Sequence, residues 1–160
     1  MLKRIAQALG ADGEALRCAL ASSFLVSADN AHALDPHHPE KYDPTNRVYM
    51  NEGVVVKFSA NQRYTTDGVS RAIFSEICAR AGVPVQYFAN RSDIVGGSTM
   101  GNISSAHMSI PAVDVGLAQL AMHSSFETAG TRDAAFLVRA LTAYYETEIC
   151  AEADGVYAMK

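Results

Sequence analysis

Short, unbroken apolar runs alternate with amphipathic stretches along most of the chain, and that alternation predicts strands and helices taken in turn. The run Phe24 to Ala28 is too brief for a helix and too apolar for a solvent-facing strand, so it reads as a buried strand. The same argument predicts strands at Gly53 to Phe58, Pro84 to Ala89 and Ile110 to Val115. Helical spacing is visible from Ala11 to Ser22, where Leu16, Ala19 and Leu20 share one side and Asp12 can cap the start. Between Asp67 and Ala81, Val69, Ile73, Ile77 and Ala81 recur every four positions. Asp67 is the predicted N-cap there, and Gly82 with Pro84 the stop. A short helix is expected after the glycine-bearing segment Val95 to Gly101, running to about His107. Thr131 to Tyr145 reads as the closing helix, started by Thr131 or Asp133, with Phe136, Val138, Leu141 and Tyr144 available to pack. Residues Pro36 to Arg47 read as loop, and the tail after Ile149 as frayed.

Strands alternating with helices of this length predict an α/β fold of three layers, α/β/α, around a largely parallel or mixed sheet. With 160 residues, no internal repeat and no low-complexity linker, residues 1–160 are expected to form a single domain. Apolar content of 49% against 19% charge excludes a disordered chain. A net charge of -4, with basic residues scattered singly, argues against nucleic acid or a membrane surface as partner. Cys18, Cys78 and Cys150 are far apart and form no CxxC pair, which suits a reducing, cytoplasmic setting better than a disulfide scaffold or thiolate zinc.

Polar groups at strand ends carry the chemistry in such folds. Asp29 closes the first strand, and His32 lies three positions on, so both can face one site. A carboxylate oxygen with an imidazole nitrogen suits zinc, cobalt or manganese. The alternative is that Asp29 caps a helix starting at Asn30 and His32 is an ordinary loop histidine. His123 follows a long apolar stretch, where it is either a ligand or a half-buried, satisfied histidine. Glu127 or Thr128 can cap the next segment and fix its loop. Asp114, inside the fourth strand, is expected to be structural and to hydrogen-bond a neighbouring loop. Lys57 ends a strand of Val and Phe. It either meets an anionic substrate group, helped by Asn61 to Tyr64, or closes the strand at the surface. The segment Gly96 to Gly101 opens a helix whose free N–H groups can bind a carboxylate or carbonyl oxygen, or else is a capped turn. A triad of Ser98, His123 and Asp93 or Asp29 lacks the Gly-x-Ser-x-Gly elbow that would support it.

Taken in order, Ser27–Ala33, Asp35–Pro36, Gly53–Lys57, Asn61–Thr65, Arg91–Asp93, Gly97–Gly101, Asp114–Gly116 and Gln119–Ser124 resemble the aspartyl aminopeptidases, the M18 zinc aminopeptidases. The resemblance is to the C-terminal portion, about a third of a family member, so the expected fold is a partial zinc-aminopeptidase catalytic domain. It implies that Asp29 and His123 are metal ligands and that His32 is a catalytic group beside them. It further implies that Lys57 receives the acidic side chain of the substrate and that Gly97, Ser98, Thr99, Met100 and Gly101 line the pocket. The implied cofactor is two zinc ions per intact site. The implied partners are peptides with an acidic N-terminal residue, together with further copies of the chain or a missing N-terminal half. The family's other ligands and its general-base glutamate have no counterpart here, so the chain is expected to hold no zinc pair and to be inactive alone. The alternatives are a subunit of a split enzyme and a non-catalytic, self-associating domain. Departures from the family pattern are Asp35 and His37 around Pro36, Asn102 after Gly101, and Phe126 in place of arginine.

Overall fold

The computed structural model describes residues 1–153 and 155–160. In chain order the elements are α1 (Leu2–Ala8), α2 (Gly13–Ala21), β1 (Leu25–Ala28), β2 (Ala31–His32), β3 (Val54–Lys57), α3 (Gly68–Arg80), β4 (Val85–Phe88), α4 (Met100–His107), β5 (Ala112–Gly116), β6 (Ala118–Leu120), β7 (Thr128–Ala129), α5 (Thr131–Glu146), β8 (Ile149–Ala153) and β9 (Val156–Met159). A single 3-10 turn, Pro39–Lys41, interrupts the loop before β3.

Four strands form the central sheet in the order β1-β5-β3-β4. The outer pairs β1/β5 and β3/β4 are parallel, and β3/β5 is antiparallel, so the sheet is mixed. Alternate side chains leave opposite faces. Val54, Val56, Val113 and Val115 point toward Phe74 and Cys78 of α3 and Ala140 of α5, forming the larger core. Each of the fully buried valines and Phe74 contributes about 1.5–3 kcal/mol. On the other face lie Val55, Lys57 and Asp114. There Ala31, Ala118, Tyr64 and Phe88 make a second cluster with Val55, and Gly101 of α4 abuts the Asp114 carboxylate. A small sheet, β2-β6-β7, extends this face. The three-layer α/β expectation therefore holds in its mixed-sheet form.

Local chemistry explains the helix boundaries. Asp12 caps α2 through the N–H groups of Glu14 and Ala15, and Asp67 with Ser70 makes a reciprocal capping box on α3. Gly82, at φ +62°, follows α3 as the residue that most easily turns left-handed. The buried stripe of α3 is Ser70, Ile73, Phe74, Ile77 and Cys78, with Val69 outside it.

Several expectations need correction. Helix α5 is capped by Gly130, not by Thr131 or Asp133. Asp133 is fully buried, and its two carboxylate oxygens accept the N–H groups of Asn51 (2.6 Å) and Gly53 (3.0 Å). Val138 faces solvent, while Phe136 and Leu137 pack inward. The tail is an ordered antiparallel hairpin of β8 and β9, tied to α3 by the Arg80 guanidinium on the Met159 carbonyl. Residue 154 lies outside the described residues. Helix α1 has no buried residue and so no periodic imprint in the sequence.

Candidate functional site

Beyond β1 the chain does not turn into a helix. Asp29 donates its N–H to Val115 at 2.9 Å and Ala31 donates to Leu117 at 2.8 Å, so the backbone continues alongside β5 and β6. Close passage here demands glycine at 116, where a Cβ would lie 1.4 Å from the Asp29 carbonyl oxygen. Asp29 is thus not a helix cap. Its side chain is exposed at the strand end, with Oδ1 accepting the Asn30 N–H at 2.8 Å.

His32 sits opposite Gln119 in the β2/β6 register, and the β6–β7 connection carries His123. That loop holds Ala121 at φ +53° and His123 at φ +68°, left-handed conformations that cost a residue with a Cβ about 1–2 kcal/mol each. Glu127 offsets part of this by accepting the His123 N–H at 2.6 Å, and Ser124 donates its N–H back to Ala121 at 3.0 Å. Glu127 therefore fixes the loop, as expected, but from within it and not as a cap for the next helix. The His123 side chain is exposed, not half-buried.

Lys57, only 1% exposed, does not close its strand at the surface. Its Nζ donates to the backbone carbonyls of Asp29 (3.4 Å) and Asn30 (3.3 Å) and lies 5.3 Å from the centre of the Tyr64 ring. Among the described residues no carboxylate comes within ion-pair distance of it. Burial pushes the Lys57 pKa down, and the carboxylates of Asp29 and Asp114 partly restore it. Burial likewise lowers the His32 pKa, followed by the charges of His123 and then Lys57. Asp29, His32, Lys57 and His123 thus lie at one end of the sheet, near enough for their charges to influence one another, with Lys57 touching the Asp29 backbone and not its carboxylate.

The Gly97–Gly101 segment joins that region through Asp114. Thr99 is buried and donates its hydroxyl to Asp114 Oδ1 at 2.8 Å, while Gly101 leaves no room for a side chain against the same carboxylate. Gly97 is open, Met100 is exposed, and Ser98 exchanges hydrogen bonds with Asn102. Asp93 is paired with Arg91 instead of joining a triad with Ser98 and His123. Asp35 hydrogen-bonds the His37 N–H, and Phe126 is exposed. A cavity of 370 Å³ opens beside His32, lined also by Asp35, His38, Lys41, Phe88 and Arg91. Tyr64, Thr65 and Thr66 are parts of the site that sequence reasoning did not single out individually. Their one cue was an aspartate at 114 amid valines, which a buried strand tolerates only with donors around it.

Zinc requires four ligands, or three and a water. Among the described residues no three His, Cys, Asp or Glu side chains gather closely enough to hold a metal ion. Taken alone, Asp29 and His123 do not fit a zinc seat. No helix among the described residues is long and apolar enough to cross a membrane.

The family model described as "Aminopeptidase I zinc metalloprotease (M18)" matches residues 1–145. A probable M18 family aminopeptidase 2 of Clostridium novyi is 46% identical over 145 residues, which is 91% of this chain and 34% of the relative. The chain thus spans about a third of the length of the curated relatives it matches. Among solved structures, an Ape4 and Nbr1 complex matches with a TM-score of 0.87 and 35% identity, over 91% of this chain and 27% of that one. The yeast mApe1 dodecamer matches with a TM-score of 0.73 and 28% identity, over 81% and 28% respectively. The chain belongs to the M18 family of aminopeptidase I zinc metalloproteases.

Proposed function

We propose that this chain, folded as one domain, supplies part of the active site of an aminopeptidase that releases N-terminal Asp or Glu from peptides. In this reading Asp29 and His123 face a dinuclear zinc centre and His32 stands beside it. Lys57 receives the acidic side chain, and Gly97, Ser98, Thr99, Met100 and Gly101 contribute to the pocket wall. The observation that carries the reading is the Lys57 ammonium, buried with no carboxylate partner among the described residues and held by two long carbonyl contacts and the face of Tyr64. An incoming carboxylate gains a charge-assisted hydrogen bond there, whereas an apolar side chain gains nothing. With its pKa lowered, His32 is neutral at pH 7 and can accept a hydrogen bond from the substrate.

Hydrolysis needs further metal ligands and a general base beyond those found among the described residues, so the chain alone is expected to be inactive. Self-association is part of the proposal, supported by the dodecameric relative and by the apolar Leu2, Ile5 and Leu9 exposed on and just after α1. The recognition reading is tested by splicing the chain in place of the matching third of the Clostridium novyi relative. The chimera should prefer aspartyl- and glutamyl- over leucyl-p-nitroanilide by at least about tenfold, and Lys57→Met should erase that preference. Equal turnover of the leucyl substrate, or a preference that survives Lys57→Met, would sink it. Separately, turnover by the chain alone that vanished in Asp29→Ala would overturn its inactivity.

A further inference from the structure

We propose that Asp114 is a positioning residue that ties two segments of the pocket wall to the strand beside Lys57. The proposal rests on the reading of Lys57 as the seat of the substrate's acidic side chain. Asp114 is fully buried and stands directly opposite Lys57 in the antiparallel β3/β5 register, on the same face of the sheet. Its Oδ2 accepts both the N–H (2.7 Å) and the hydroxyl (3.1 Å) of Thr65, and its Oδ1 accepts the Thr99 hydroxyl (2.8 Å). Its own N–H donates to the Thr66 hydroxyl at 2.9 Å.

One carboxylate thus joins the segment after Tyr64 to the segment before α4. Tyr64, the neighbour of Thr65, is the ring under the Lys57 ammonium. Gly101 completes the arrangement, because a Cβ there would sit 2.7 and 2.8 Å from the two Asp114 oxygens and 2.9 Å from Ser27 Oγ. The packing leaves the carboxylate room for its threonine donors and for no added atom. A buried carboxylate so enclosed is costly unless it is hydrogen-bonded, and here its three hydrogen bonds go to the threonines of the two walls and none to the Lys57 ammonium. Asp114 therefore acts through Thr65 and Thr99 on the position of the Lys57 head.

The test uses the whole chain in solution, read by nuclear magnetic resonance. Asp114→Asn keeps the shape: its carbonyl oxygen can accept from Thr65, and its amide can donate to the Thr99 oxygen. Asp114→Ala removes every tether. In the alanine variant, Thr65 amide exchange should rise about 10- to 100-fold. The ring-current shift of the Lys57 ε-methylene over Tyr64 should collapse, and both should return in Asp114→Asn. The Phe74 and Cys78 amides, on the opposite face, report that the chain is still folded.

Unchanged Thr65 exchange and Lys57 shift in a folded alanine variant would overturn the proposal. So would equal disturbance in both variants, which would make charge the operative property. If Asp114→Ala does not fold, Thr65→Ala and Thr99→Val cut the tethers separately. Each should move the Lys57 shift part of the way, and no movement in either refutes the idea. Adding L-aspartyl-L-alanine tests recognition independently. Absence of any shift at Lys57 in the unaltered chain would count against the acidic-substrate reading while leaving the tether result intact.

Discussion

Replacing Lys57 with methionine should make this protein more stable, although the lysine lies in the middle of its candidate site. The ammonium is 1% exposed, and taking such an ion out of water costs several kcal/mol even after relaxation. What offsets that cost is modest. Hydrogen bonds of 3.3 and 3.4 Å to carbonyls are long, and each contributes about 1 kcal/mol or less. The Tyr64 face, 5.3 Å away, adds about 0.5–2 kcal/mol. Methionine matches the shape and removes the charge, and the two long carbonyl contacts it gives up are weak. Lys57→Met should therefore gain about 1–3 kcal/mol at pH 7. For a chain of this length that is a rise in Tm of about 2–12 °C.

The pH dependence carries a definite sign. The folded-state pKa of Lys57 lies below its ordinary 10.5, so at high pH the unfolded chain binds the proton more tightly. Unmodified protein should recover stability as pH rises through the folded pKa toward 10.5, and its deficit relative to Lys57→Met should shrink. Urea unfolding of both proteins at about pH 7 and in steps up to about pH 10.5, the ordinary lysine pKa, measures this. A methionine variant that loses more than about 1 kcal/mol at pH 7, or a gap that does not narrow, would refute the account of Lys57 as a cation held against its solvation preference.

Two further outcomes follow from the same contacts. Asp133→Ala strands the buried N–H of Gly53 and that of Asn51, at about 1–3 kcal/mol each, so urea unfolding should show a loss of about 2–6 kcal/mol; less than 1 would remove Asp133 from the list of structural locks. Burial pushes the Cys78 thiol up to about 12, so a disulfide reagent at pH 8 should modify exposed Cys18 promptly and Cys78 only after denaturant is added. Prompt labelling of Cys78 would contradict its place in the core between α3 and the sheet.

The sequence was most informative where local rules and burial agree. Val54 to Val56, and Val113 with Val115 around a lone aspartate, were legible because such valine-rich runs rarely occur outside a covered sheet. Helix α3 was legible because its cap, its stripe and its terminating glycine all occur in order. Strands β2, β6 and β7 were not, since two or three residues hold no period. The β8/β9 hairpin escaped for another reason: Ala, Cys and Glu are weak strand formers, and pairing with each other holds them. At the site, Asp29, His32, Lys57 and His123 were nameable from the chain, but their convergence was not. Lys57 reads equally as a surface lysine until Tyr64 and two distant carbonyls are folded around it. The left-handed turn at His123 has no sequence mark, because histidine there obeys its loop and not its own preference.

Gly116 gives the pocket an unexpected sensitivity. The space a methyl would need at that position is already filled by an oxygen atom, and that same oxygen is one of the two that steady the lysine head. A change inside the sheet, with no contact of its own to the ammonium, would be delivered straight to the Lys57 head. Sequence drift in this protein therefore has a hidden lever: the buried lysine can be disturbed from beneath, through a backbone atom no substitution can replace.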